Sequence, residues 1–107
     1  MTELNQIPAC SKPLLSPVRV FNGDCLEIMK SIPDGSIDMV LCDLPYNVTG
    51  LKWDSIIPFN ELWYQYERII KPSGAIVLTA MQPITTELIY SNKKMLKYTW
   101  VWNKVKP

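Results

Sequence analysis

Residues 37–42 read Ile-Asp-Met-Val-Leu-Cys, a nearly continuous apolar run that stops at Asp43. That is the pattern of a strand buried on both faces of a parallel sheet. Parallel strands cannot be joined by a tight turn, so crossover helices should flank this one. The chain reads that way. Val18-Arg19-Val20-Phe21 alternates like a short strand, and Asn22-Gly23 breaks it. Asp24 to Ile32 has Leu26, Met29 and Ile32 at helical spacing, with Asp24 and Glu27 set as a capping box. Pro33-Asp34-Gly35 turns the chain into the 37–42 strand. Beyond a loop, Pro58 opens a helix whose apolar residues are Phe59, Leu62, Trp63, Tyr66 and Ile70. Lys71-Pro72-Ser73-Gly74 ends it, and residues 75–80 predict a second buried strand. Pro83 begins a third helix with Ile84, Leu88 and Ile89 on one side, and Leu96 to Trp102 reads as a last strand.

This alternation predicts an α/β fold: a mostly parallel sheet with right-handed crossovers and helices on both faces. Residues 1–16, with Pro8 and Pro13, read as an irregular leader, and residues 17–107 as the folded unit. In open sheets of this type ligands bind beyond the carboxyl ends of the strands. Two acids stand at such ends, Asp24 and Asp43. If their strands are neighbours, both face one crevice.

The exit from the 37–42 strand is distinctive. In Asp43-Leu44-Pro45-Tyr46 the carboxylate accepts two hydrogen bonds, Pro45 stiffens the turn and Tyr46 offers a flat face. Together they suit a planar ring that bears an amino group.

Composition narrows the alternatives. At 107 residues the chain is one domain. It is 48% hydrophobic and 20% charged, as soluble globular chains are. No apolar run approaches the roughly 20 residues of a membrane span, and the first residues lack signal-peptide features, so a cytoplasmic location is expected. There is no histidine, which excludes Ser-His and Cys-His nucleophile pairs. Three widely spaced cysteines form no zinc pattern, and no metal is expected. Cys25 and Cys42 read as small buried residues. Charge is lopsided: residues 1–92 carry six bases and ten acids, while residues 93–107 carry five lysines and no acid. Such an end can meet a phosphate backbone, although a solvated tail explains five lysines as well.

Three segments together resemble a known family: Phe21-Asn22-Gly23-Asp24-Cys25-Leu26-Glu27, Cys42-Asp43-Leu44-Pro45-Tyr46-Asn47, and the stretch from Ile70-Lys71-Pro72-Ser73-Gly74 to Trp100-Val101-Trp102-Asn103-Lys104. Residues 18–104 are similar to the N-terminal part of the DNA methyltransferases that modify adenine N6 or cytosine N4, in the permuted order that places the catalytic tetrapeptide early. The resemblance implies a partial Rossmann-like sheet, S-adenosylmethionine as methyl donor, and double-stranded DNA with a flipped target base as partner. It assigns catalysis to Asp43, Leu44, Pro45 and Tyr46, and cofactor contact to Asp24 and Asp43. Residues 17–107 are then a partial methyltransferase catalytic domain.

The chemistry fits those residue types. An aromatic amine is a poor nucleophile because its lone pair is delocalised into the ring. Hydrogen bonds from both N–H groups to fixed acceptors return density to nitrogen and stabilise the charge that grows there. By the resemblance, the acceptors are the Asp43 carboxylate and the Leu44 carbonyl, while Tyr46 stacks on the flipped base. The family has proline where this chain has Leu44. The carbonyl survives the change, but the turn loses rigidity and Asp43 gains freedom. Asp24 also has a plainer reading as the N-cap of its own helix. Trp53 is expected to pack its loop down, and Trp100 and Trp102 to be sheet residues.

The four glycines, Gly23, Gly35, Gly50 and Gly74, are isolated, so no glycine-rich cofactor loop is here; the resemblance implies that this loop and a DNA-recognition segment belong to a later half. The chain is expected to be weak or inactive alone, needing a C-terminal half. Two rivals remain: a non-catalytic remnant or half of a split enzyme, and an amino-methyltransferase acting on RNA or protein. A nucleotide-dependent dehydrogenase is more distant, because no G-x-G-x-x-G follows a strand.

Overall fold

The computed structural model describes residues 2–7 and 17–106. Its elements are β1 (Thr2–Ile7), β2 (Val18–Asn22), α1 (Cys25–Met29), β3 (Ile37–Asp43), α2 (Phe59–Ile69), β4 (Ile70–Thr79) and α3 (Ile84–Ser91), followed by a single 3₁₀ turn at Lys93–Met95. The chain is α/β, and its centre is the predicted unit: β3 and β4 are parallel neighbours joined through α2. The helical period places α2 correctly, and its buried residues are Leu62, Gln65, Tyr66 and Ile69.

Several expectations change. Thr2–Ile7 is a strand, not part of an irregular leader, and it pairs antiparallel with β2; residues 8–16, with Cys10, lie outside the described residues. β2 therefore finds its partner in β1, and the two form a sheet separate from β3–β4. Antiparallel pairing is slightly stronger per residue than parallel pairing, which favours this choice. Segment 96–106 is not a strand. Among the described residues the parallel sheet has two strands.

The helices also gather on one side. Met29 from α1, Leu62, Tyr66 and Ile69 from α2, Leu88 from α3 and Leu44 make one core cluster, with Val40, Cys42, Ile76 and Leu78 of the sheet packed against it. The strand period of two sends Met39 and Leu41 to the opposite face, where Leu41 is 70% exposed. The apolar run of β3 is thus covered on one face, not two. Cys42 is half-buried and Cys25 exposed, so only the former approaches the expected buried role.

Two details fix how α2 and β4 meet the rest. The Arg68 guanidinium donates to the carbonyls of Met29 (2.7 Å) and Ile32 (2.8 Å) and pairs with Asp34 at 2.6 Å, stitching the end of α2 to the turn before β3. The Lys71–Gly74 segment does not end the helix in a loop; it lies inside β4, at a register break between Ile37 and Met39. Gly74 is required there, since a Cβ would lie 2.9 Å from the Asp38 carbonyl and 2.6 Å from the Ile70 side chain.

Candidate active site

Asp43 is the last residue of β3 and its register partner is Thr79, the last residue of β4. Parallel pairing therefore sets a carboxylate beside a hydroxyl at one carboxyl end of the sheet. The Thr79 hydroxyl donates to Asp43 Oδ1, and the Tyr46 phenol donates to the same oxygen at 3.0 Å. The two hydroxyls also contact each other at 2.8 Å. Asp43 Oδ1 is thus engaged twice, while the side chain stays exposed and Oδ2 faces no donor among the described residues. Hydrogen bonds from Thr79 and Tyr46, with a smaller contribution from the Lys104 charge, hold the Asp43 carboxyl below its ordinary value. Burial pushes the Tyr46 phenol up. Both directions keep Asp43 ionised and Tyr46 neutral near pH 7.

The remaining tetrapeptide residues divide by burial. Leu44 is 4% exposed and sits in the core cluster with Met29 and Leu62. The stiffness a proline would lend the turn is here supplied by a buried anchor. Pro45 and Tyr46 are half-buried. Asp43, Leu44, Pro45 and Tyr46 thus form one local assembly.

Asp24 stands apart. It follows β2, in the other sheet, and its Oδ1 accepts the Leu26 amide at 2.8 Å as the N-cap of α1. The reciprocal half of the capping box is absent, because Glu27 pairs with Lys30 at 2.7 Å. No bond links Asp24 to Asp43, and their strands do not share a sheet.

Sequence reasoning misses two residues. Thr79 carries no signal until the register of β3 and β4 is known. Asp54 is the other: it is 3% exposed and accepts hydrogen bonds from the amides of Tyr46, Asn47, Val48 and Thr49. An acid inside a loop that has no strand partner for its amides is the available clue. Trp53, expected to pin that loop, is 70% exposed. The carboxylate does the pinning.

A strand-end carboxylate flanked by a tyrosine and an anchored turn is an arrangement that receives and polarises a hydrogen-bond donor. Comparison with known proteins points the same way, toward a methyltransferase family relationship. The chain is 28% identical over 94 residues to the type II methyltransferase M.BamHI of Bacillus amyloliquefaciens, covering 78% of this chain and 22% of that protein. It is 34% identical over 83 residues to the type II methyltransferase M.BglII of Bacillus subtilis, covering 67% of this chain and 21% of that protein. The chain spans about a fifth of the length of these relatives. No family model and no solved structure matches it. Among the described residues no group of acids and cysteines is placed to hold a metal ion, and no helix is long and apolar enough to cross a membrane.

Proposed function

We propose that residues 17–107 are part of the catalytic domain of a DNA methyltransferase acting on an exocyclic amine, adenine N6 or cytosine N4, with a partial Rossmann-like sheet. The observation that carries this reading is Asp43: an exposed, ionised carboxylate at a strand end, with one oxygen tied to Tyr46 and Thr79 and the other open. One N–H of the target amine bonds to Oδ2 and the other to the Leu44 carbonyl. Because Oδ1 is already fixed, the open oxygen needs little reorganisation to meet the amine, which is how a preorganised acceptor lowers a barrier. Tyr46 offers its ring to the base once the base has left the duplex.

The donor set also suits S-adenosylmethionine in part. Asp24 is an exposed carboxylate with Oδ1 committed to the Leu26 amide, which leaves Oδ2 for hydroxyl or amino donors of an adenosyl group. When bound, the cofactor supplies a methyl group activated by a positively charged sulfur. This chain's part is to hold the acceptor amine in line. The relatives are far longer than this chain, and the rest of the cofactor site is assigned to the part of them that it does not span.

The test is methyl uptake. Labelled S-adenosylmethionine is supplied with DNA, RNA or protein as acceptor, using the chain alone and the chain joined to the C-terminal portion of a relative such as M.BglII. DNA should be the labelled acceptor, with the joined protein far more active than the chain alone. Asp43→Ala should abolish transfer there, at least about a thousandfold, because it removes the acceptor present at the reacting atom. Turnover retained in that variant sinks the assigned role, and preferential labelling of RNA or protein sinks the substrate class.

A further inference from the structure

The loop after the tetrapeptide is organised by one side chain. Asp54 Oδ1 accepts the amides of Tyr46 (3.1 Å) and Asn47 (3.0 Å). Its Oδ2 accepts the amides of Val48 (2.9 Å) and Thr49 (2.8 Å) and the Thr49 hydroxyl (2.7 Å). Four consecutive amides converge on one anion, a concavity of the kind that successive N–H groups form when the backbone enters the left-handed region. Asn47 makes that entry, with φ 57°, at a residue type that tolerates it. The Asp54 amide closes back on the Leu51 carbonyl at 3.0 Å, so the acid is itself held from behind. Hydrogen bonds from Thr49, the largest cause, and from the other amides lower its carboxyl from 3.8 to about 2.

Tyr46 is where this arrangement meets the site. Its amide is bound by Asp54 and its phenol by Asp43, so two carboxylates tie the residue at both ends. We propose that Asp54 is the positioning residue of the site: by gathering the amides of residues 46–49 it sets the Tyr46 phenol on Asp43 and the Tyr46 ring where a planar, amino-bearing base is received. The base-receiving half of this statement rests on the methyltransferase reading; the Tyr46–Asp43 half does not. Asn at position 54 cannot substitute, since it offers one acceptor oxygen and turns an NH₂ toward two amides. Glu keeps the charge and both oxygens but moves them by one methylene.

The experiment uses the 107-residue chain with Asp54→Asn, Asp54→Glu and Thr49→Val, read by nuclear magnetic resonance and by binding of 2-aminopurine deoxyribonucleoside, whose fluorescence is quenched on stacking. The indole N–H of Trp63, bonded to Ser91 at 2.7 Å, reports whether the remote fold is intact. In Asp54→Asn the amides of residues 46–49 should lose protection from exchange. The Asp43 carboxyl should titrate closer to its ordinary range, and nucleoside binding should fall at least about tenfold, a loss of about 1.4 kcal/mol of binding free energy. Asp54→Glu should recover part of each. Thr49→Val removes one of five bonds and should shift Asp43 in the same direction by less, which decides the matter should Asp54→Asn fail to fold. Exposed amides with an unchanged Asp43 titration would overturn the proposal, as would wild-type amides in Asp54→Asn. Wild-type chain that ignores the nucleoside overturns the base-receiving half, the methyltransferase reading stands or falls separately on methyl uptake by the joined protein, and the Asp43 titration decides whether Asp54 positions Tyr46.

Discussion

Two stretches of this chain invert the usual expectation about order. Between Asp43 and Asp54 the chain is mostly loop, with polar residues and a glycine, yet its backbone donors are satisfied one after another by a buried carboxylate. Between Leu96 and Lys106 the chain is rich in aromatic and β-branched residues, yet Trp100 is 84% and Trp102 80% exposed and no strand forms. Apolar content does not bury itself. A strand needs an edge to pair with and a face to cover it, and among the described residues the second stretch is paired with no edge and covered by no face. The loop needs only one acceptor within reach of its amides, and Asp54 is that acceptor. The stretches touch electrostatically, since the Lys104 charge helps hold Asp43 ionised.

Leu44→Ala gives the largest expected effect. Leu44 is the loop's buried core anchor, and truncating so buried a leucine should cost about 2–5 kcal/mol of unfolding free energy, measured by urea denaturation. A loss below about 1 kcal/mol would mean that hydrogen bonds alone order the loop, and that the anchor is dispensable.

Acid is the next probe. The Asp54 carboxyl is lowered in the folded chain, to about 2 from 3.8, so its contribution is fully present above the ordinary value and is lost as pH falls through the lowered one. Amide protection at residues 46–49 should therefore hold at pH 5 and disappear between about pH 4 and pH 2, whereas the 96–106 amides should exchange freely throughout. Loss of loop protection already at about pH 5 would erase the contrast between the two stretches.

The smallest effect sharpens it from the other side. Trp100→Ala combined with Trp102→Ala should change stability by no more than about 0.5 kcal/mol, as substitutions at exposed positions do. A cost near roughly 2 kcal/mol would show that these rings pack in solution and that the stretch belongs to a sheet after all.

Most of the tertiary disagreement with the sequence traces to that second stretch and to β2. The period in 96–102 is a strand period, and Val18-Arg19-Val20-Phe21 is the strand its alternation implies, but period says nothing about partners. β2 takes an antiparallel neighbour close by in sequence, so Asp24 and Asp43 follow strands of different sheets. The capping reading of Asp24 needs only local residues and is the geometry observed. The cofactor contact proposed for it depends on a long-range placement that local pattern does not carry.

By itself the sequence determined what is local and repetitive: α2 from its 3.6-residue period, β3 and β4 from apolar runs bounded by turn residues, and an acid, proline and tyrosine leaving the sheet at Asp43. Only the tertiary structure decided which face of β3 is covered, that Thr79 stands beside Asp43, and that Asp54 closes the loop onto itself. Each of the last two is a contact between a carboxylate and groups brought near by strand register or a left-handed turn at Asn47, and neither is written in spacing. The reason is physical: periodicity reports how a segment meets any apolar surface, whereas register and hydrogen-bond convergence depend on which segments actually meet.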